Sequence, residues 1–250
     1  MHARLLPRSA LSVSLCSLGL VLALILAAAA PVVAAPPQAP PQQVADAEAV
    51  ANRIAGIREA DPDIADNFDA DNGTWKLGYD GETSVYLRAG MLYIAVDVES
   101  TVAWSESSTR AEDFYMEVET TRREGALNNQ FGVLFQYDDG DNFLFFSVGS
   151  DGYYSLQRLV NDEWEMVIEW TESDVIETGE GSQNLLGILS EGSTVTLLIN
   201  DAIVDQVTGL QPLEGKLALA AGAYDEPGVN ISFDNFAVWL LDGDSGGPRI

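Results

Sequence analysis

From Asp66 onward, apolar and polar positions alternate with a period of two over short stretches. The stretches at residues 83–96, 113–120, 131–137, 142–148, 152–160, 193–200, 215–222 and 230–240 all read as strands. That period is the signature of half-buried strands, whose successive side chains point to opposite faces. Turn chemistry separates them: Asp138-Asp139-Gly140-Asp141, Ser150-Asp151-Gly152, Glu191-Gly192-Ser193 and Asn200-Asp201. No comparable helical period interrupts the chain after residue 64. Many short strands joined by tight turns predict an all-β fold, an antiparallel β-sandwich of jelly-roll type spanning residues 61–240. Upstream the period changes to that of a helix. Val44, Ala47, Ala51, Ile54 and Ile57 fall on one face over residues 44–60, and Asp61-Pro62-Asp63 stops the run. The pattern leaves two roles open for this helix, packing on the domain or standing as a stalk.

The first 34 residues have the layout of a secretory leader. Arg4 and Arg8 precede an uncharged apolar run from Ala10 to Ala30, and Val32 and Ala34 are small residues suited to cleavage after Ala34. The run is also long enough to span a bilayer if it is retained, which is the only membrane contact the sequence offers. Residues 35–43, rich in Pro and Gln, form a spacer, and residues 241–250 read as a disordered tail. The protein is therefore expected to be secreted or held at the cell surface. Its only His (His2) and only Cys (Cys16) would leave with the leader. Without them the mature chain has no imidazole, no thiol and no disulfide, so an apolar core must stabilise it. The mature chain would also carry 39 acidic residues against 10 basic, a net charge of −29. That balance excludes nucleic acid as a partner, because binding phosphates requires many Lys or Arg contacts.

Four groups of residues invite a chemical reading. Gly243-Asp244-Ser245-Gly246-Gly247-Pro248 spells the nucleophile motif of trypsin-like serine proteases. A serine nucleophile needs a His base, the only His is in the leader, and the protease reading is rejected. In the strand at 113–120, Phe114, Met116 and Val118 should face the core, leaving Tyr115, Glu117 and Glu119 on the opposite face. Two carboxylates on one strand face are the arrangement of sandwich-type glycosidases, where they serve as nucleophile and acid. They are equally the ordinary solvated face of an acidic sheet. Asp69 and Asp71, and Asp138, Asp139 and Asp141, lie in Asp-rich turns that offer oxygen ligands for calcium. The second group also has the composition of a hairpin turn, which needs no metal. Trp104, Tyr153, Tyr154, Trp164 and Trp170 fall near expected loops and strand ends, where exposed rings can stack on sugars.

The stretches "DNFDADNGTW", "DFYMEVET", "FGVLFQYDDGDNFLFFSVGSDGYYSLQR", "GSTVTLLIND" and "FDNFAVW" resemble the concanavalin A-like (laminin-G-like) jelly-roll domains of bacterial secreted and surface proteins. In particular they are similar to the domain called 3-keto-disaccharide hydrolase-like. The resemblance covers about residues 64–240 and implies the fold more than the activity. Members carrying the hydrolase label tend to have an Asn-Ser-Gly-Ile strand start and a Glu-x-Gln-Ile strand. Here Asn128-Asn129-Gln130-Phe131-Gly132-Val133 and Asn142-Phe143-Leu144-Phe145-Phe146 stand instead, which argues against importing the catalysis. The expected function is a non-catalytic carbohydrate-binding or adhesion module without a required cofactor. Its ligand would be a glycan or cell-envelope polysaccharide lying across a face with Glu117, Glu119, Gln136 and Arg158, stacked on Trp104 and Tyr153. The alternatives are a glycosidase-like hydrolase using Glu117 and Glu119, and a structural envelope module with no small ligand.

Overall fold

The computed structural model describes residues 47–241 and the backbone of residues 2–5. Numbered along the chain, the elements begin with β1 (His2–Leu5), α1 (Ala47–Arg58), β2 (Ile64–Asp66), β3 (Gly78–Tyr79), β4 (Thr83–Arg88), β5 (Met91–Val96), β6 (Thr101–Ala111), β7 (Phe114–Glu124) and β8 (Asn129–Asp139). They continue with β9 (Asn142–Val148), β10 (Tyr153–Val160), β11 (Glu163–Glu172), β12 (Gln183–Glu191), β13 (Thr194–Ile199), β14 (Ala202–Thr208), β15 (Gly215–Ala223) and β16 (Val229–Leu240). The strands form two antiparallel sheets. One runs β1-β6-β15-β8-β9-β10-β11. The other runs β14-β13-β12-β7-β16-β5-β4-β3, with β2 on β16. Among the described residues the fold is an all-β sandwich with a single helix on its N-terminal side.

Alternation produces the core. Phe131, Val133 and Phe135 of β8 and Leu144, Phe146 and Val148 of β9 project inward from the first sheet. Phe114, Met116 and Val118 of β7 and Ile231, Phe233 and Val238 of β16 meet them from the second. Each is buried, and full burial of such a side chain stabilises by roughly 1.5–3 kcal/mol. The stretch at 83–96 proves to be a hairpin, not one strand. Ala89 (φ 52°) and Gly90 (φ 72°) both take the left-handed conformation that a two-residue type I′ turn demands. Asn200 (φ 51°) and Asp201 (φ 67°) turn β13 into β14 in the same way.

β6, β11, β12 and β14 exceed the strands expected from the pattern. In β6 the inward positions Ser105, Ser107 and Thr109 are polar yet buried, which erases the alternation. β11 and β14 lie at sheet edges, where much of the strand stays accessible, and the contrast between faces is weak.

α1 packs on the domain. Ile54 and Ile57, with Val50 beside them, sit on Tyr115, Leu189, Leu198 and Trp239 on the outer face of the nine-stranded sheet. Trp239 Nε1 donates to the carbonyl of Ala60 at 2.8 Å, and Arg53 pairs with Glu191 at 2.9 Å. The helix ends at Arg58, two residues before the expected Ala60, and Val50 faces the sheet in place of Ala51, which is exposed. The backbone of β1 pairs with Thr101–Trp104 of β6. The rest of the expected leader, the spacer at 35–43 and the tail from residue 242, with Cys16 and Ser245, lie outside the described residues.

Candidate functional site

Glu117 and Glu119 share the outer face of β7, as alternation requires, but α1 occupies part of that face. Arg58 at its C-terminus donates to the Tyr115 hydroxyl at 2.9 Å, to Asp201 at 2.7 Å and to Glu117. Its guanidinium also lies over the Tyr115 ring, 5.6 Å from the centroid. The Tyr115 hydroxyl donates to Glu117 as well. Burial works against the Arg58 charge, yet the hydrogen bonds to Asp201 and Glu117 outweigh it and raise its pKa. Burial, followed by the bond to Glu117, raises the Tyr115 pKa above its ordinary value. Glu119 takes a different partner, accepting from Gln183 Nε2 at 2.5 Å. Glu117 is the anchor of α1, and the two carboxylates enter separate hydrogen-bonded groups.

The single ligand face expected from sequence does not form. Gln136 and Arg158 belong to the seven-stranded sheet, whereas Glu117 and Glu119 belong to the nine-stranded one. Gln136 sits where β8 bulges and donates to the Gln211 carbonyl at 3.2 Å. Arg158 pairs with Glu165 of the neighbouring strand at 2.5 Å. Trp104 is not an exposed ring. It lies inside β6 with 1% of its surface accessible, packed on Phe143 (5.7 Å) and Tyr137 (6.4 Å). Tyr153 is half-buried opposite Glu172.

The Asp-rich turns spend carboxylate oxygens on their own loops. Asp69 accepts from Asn67 Nδ2 at 2.7 Å, and Asp71 accepts from the Gly73 N–H at 2.9 Å. Asp139 accepts from the Asp141 N–H at 2.8 Å and from Asn142 Nδ2 at 2.9 Å, while Asp138 is exposed. Among the described residues no three His, Cys, Asp or Glu side chains gather as a metal site requires. These turns are closed by Asx-type hydrogen bonds, which need no ion.

The outer face of the seven-stranded sheet carries a different arrangement. Register aligns Trp104, Ala220, Gly132, Ser147 and Ser155 in one row across five strands. A neighbouring row holds Ala218, Leu134, Phe145, Gln157 and Met166. Gln130 pairs with Gly222 on the other side. A Cβ on Gly222 would lie 2.9 Å from Val102 Cγ2 and 3.2 Å from Gln130 Cγ, so glycine lets Gln130 lean across β15. Gln130 Oε1 accepts from Gln157 Nε2 at 2.9 Å and from the Tyr224 hydroxyl at 3.0 Å. Gln157 Nε2 also reaches Ser147 Oγ (3.2 Å) and Ser155 Oγ (3.0 Å), and the two hydroxyls are 3.0 Å apart.

Aromatic rings flank this neutral cluster. Tyr224 and Trp170 approach from opposite sides of the face and meet edge to face at 6.4 Å. Both are half-buried, and the four polar side chains near them are buried. Burial, with the nearby charge of Asp151, raises the Tyr224 pKa, and burial raises that of Asp151 itself. At the far end Trp104, Phe143 and Trp164 form a second aromatic group, with Phe143 and Trp164 5.7 Å apart. Gln130, Ser147, Ser155, Gln157 and Tyr224 did not stand out as a site in the sequence. Their one signal was uncharged polar residues set into otherwise apolar strands.

No family model and no curated protein matches the chain. Solved structures do. The carbohydrate-binding module CBM66 from Bacillus subtilis superposes with a TM-score of 0.55 at 16% identity, covering 66% of this chain and 95% of its own. A structure reported as "Prominent members of the human gut microbiota express endo-acting O-glycanases to initiate mucin breakdown" gives 0.55 at 12% identity, covering 73% of this chain and 100% of the other. A Bacillus subtilis protein of unknown function with a galectin-like fold gives 0.53 at 11% identity, covering 72% and 96%. At such identities the likeness is one of architecture. The narrower kinship with 3-keto-disaccharide hydrolase-like domains rests on the sequence resemblance alone. The chain has the β-sandwich fold that carbohydrate-binding module CBM66 and a protein with a galectin-like fold also adopt.

Proposed function

We propose that the protein is a secreted or cell-surface carbohydrate-binding module without catalysis, whose ligand is a glycan or cell-envelope polysaccharide. One observation carries the reading: on the outer face of the seven-stranded sheet, a neutral amide and hydroxyl cluster lies beside the Tyr224–Trp170 pair. Sugars are recognised by that combination, rings for their apolar faces and uncharged polar groups for their hydroxyls. The sandwich fold shared with a carbohydrate-binding module supports it. A glycosidase mechanism is less well served. Glu117 is tied to Arg58 and Tyr115 beneath α1, while the two carboxylates of a hydrolase must be free to attack and to protonate.

The test is a glycan-array screen of the full chain, with and without calcium, followed by product analysis on any glycan retained. Binding without product, unchanged by Glu117→Gln or Glu119→Gln, is the expected result. Product formation lost in either variant would establish the hydrolase instead. Silence of the array would leave the structural envelope module.

A further inference from the structure

We infer that Gln130, Gln157, Ser147 and Ser155, with Tyr224 and Trp170 beside them, form a subsite for the hydroxyl and ring oxygens of a neutral sugar; this rests on the carbohydrate-binding reading above. The orientation of one amide is fixed by its partners. Two donors, Gln157 Nε2 and the Tyr224 hydroxyl, converge on Gln130 Oε1. That fixes the oxygen toward them and turns Nε2 the other way. Gln130 is fully buried, and its Nε2 meets no hydrogen-bond partner. A buried, unpaired amide N–H is rare in folded proteins because it forfeits its bonds to water without replacement.

The neighbouring donors are already engaged. Gln157 Nε2 is directed at Gln130, Ser147 and Ser155. The two serines stand 3.0 Å apart, and only one of their protons can lie between them. The unpaired Gln130 N–H is complementary to a ligand that brings an acceptor oxygen. Gly132, two residues from Gln130 on the same face, lets the neighbouring strand approach closely, since a Cβ there would lie 2.2 Å from the Phe146 carbonyl oxygen, and Ala220 opposite it adds only a methyl group. Charge then chooses among acceptor-bearing ligands. Among the described residues no cation bonds to the cluster, and Asp151 lies close enough to raise the Tyr224 pKa. A carboxylate or sulfate would meet that negative charge, whereas a neutral sugar would not. Tyr224 and Trp170, half-buried and in mutual contact, supply ring surface at the edge of the cluster.

The experiment follows the side-chain amide of Gln130 by 15N NMR in the full chain. The titrant is the neutral oligosaccharide that scores highest on the array, with an oligogalacturonide of equal length as the acidic probe. The neutral probe should shift the Gln130 Nε2 resonances, and the acidic one should leave them in place. Gln130→Met should weaken the neutral probe about tenfold, the scale of one lost hydrogen bond to a ligand, and Trp170→Ala should weaken it as well. The wild-type NMR arm does not depend on either variant folding. Binding that leaves the Gln130 amide unmoved would mean that an ordered water alone satisfies it, overturning the subsite while keeping the carbohydrate reading. Equal or stronger perturbation by the oligogalacturonide would overturn the neutral assignment. If no neutral glycan binds, the functional reading falls and the subsite with it.

Discussion

Arg58 gathers a phenol, a carboxylate from its own sheet face and Asp201 from the β13–β14 turn. Hydrogen bonds that involve a charged group contribute about 1.5–3 kcal/mol each, and part of that is lost to solvent where the side chains remain accessible. Arg58→Met keeps the stem on the Tyr115 ring while removing the charge. It should lower stability by about 1–3 kcal/mol in urea unfolding, without changing glycan affinity. A loss of affinity at unchanged stability would mean that this group, not the opposite sheet, faces the ligand.

Asp151 supplies a prediction with a defined pH sign. Burial raises its pKa in the fold above the ordinary value of about 3.9. The folded state therefore favours the protonated acid, and that preference contributes stability in full below about pH 4, which is lost as pH rises through the folded pKa. Asp151→Asn imitates the neutral acid and keeps an oxygen for the backbone N–H donors of Asp151 and Tyr153. The variant should melt above the wild type at pH 7 and together with it near pH 3, as followed by thermal denaturation at each pH. Equal melting temperatures at pH 7 would show that Asp151 carries its charge without cost.

Among the elements, α1 has the largest consequence for how the domain is handled. It covers Tyr115, Leu189, Leu198 and Trp239, so a chain beginning at Asp61 would expose them. Such a chain should unfold at lower temperature than one retaining α1 and should bind a hydrophobic dye. Ile57→Ala in the full chain should cost about 2 kcal/mol or more, as truncation of a buried aliphatic side chain does. The existence of α1 was legible from the spacing of Ile54 and Ile57, but its docking was not, because their partners lie between 58 and 185 positions further along the chain. The same division holds for the strands. Apolar runs bounded by turn residues announced themselves, whereas β6 hid behind its buried Ser105, Ser107 and Thr109. The candidate site was harder still. Gln130, Ser147, Ser155 and Tyr224 come from four strands or strand ends and meet only through register, which no local pattern encodes.

At the scale of the whole molecule, charge is the dominant fact. The sequence carries 39 acidic and 12 basic residues, and its ion pairs among the described residues are mostly half-exposed or exposed. Pairs of that kind contribute at most about 1 kcal/mol each, so they offset little of the mutual repulsion. Added salt shortens the range of that repulsion to about 10 Å at 0.1 M. The melting temperature should therefore rise as sodium chloride goes from about 0.02 M to about 0.5 M, two ionic strengths that bracket the regime in which exposed charges are screened. The same field acts on ligands. A neutral oligosaccharide should bind with nearly constant affinity across that range. An oligogalacturonide, repelled at a distance, should gain apparent affinity with salt while remaining the weaker ligand, because nearby Asp151 is screened less than the exterior. Isothermal titration with both probes at both salt concentrations separates the two effects. If affinity for the neutral probe fell steeply with salt, attraction between charges would be driving the binding, and the uncharged cluster on the seven-stranded sheet would not be the site of contact.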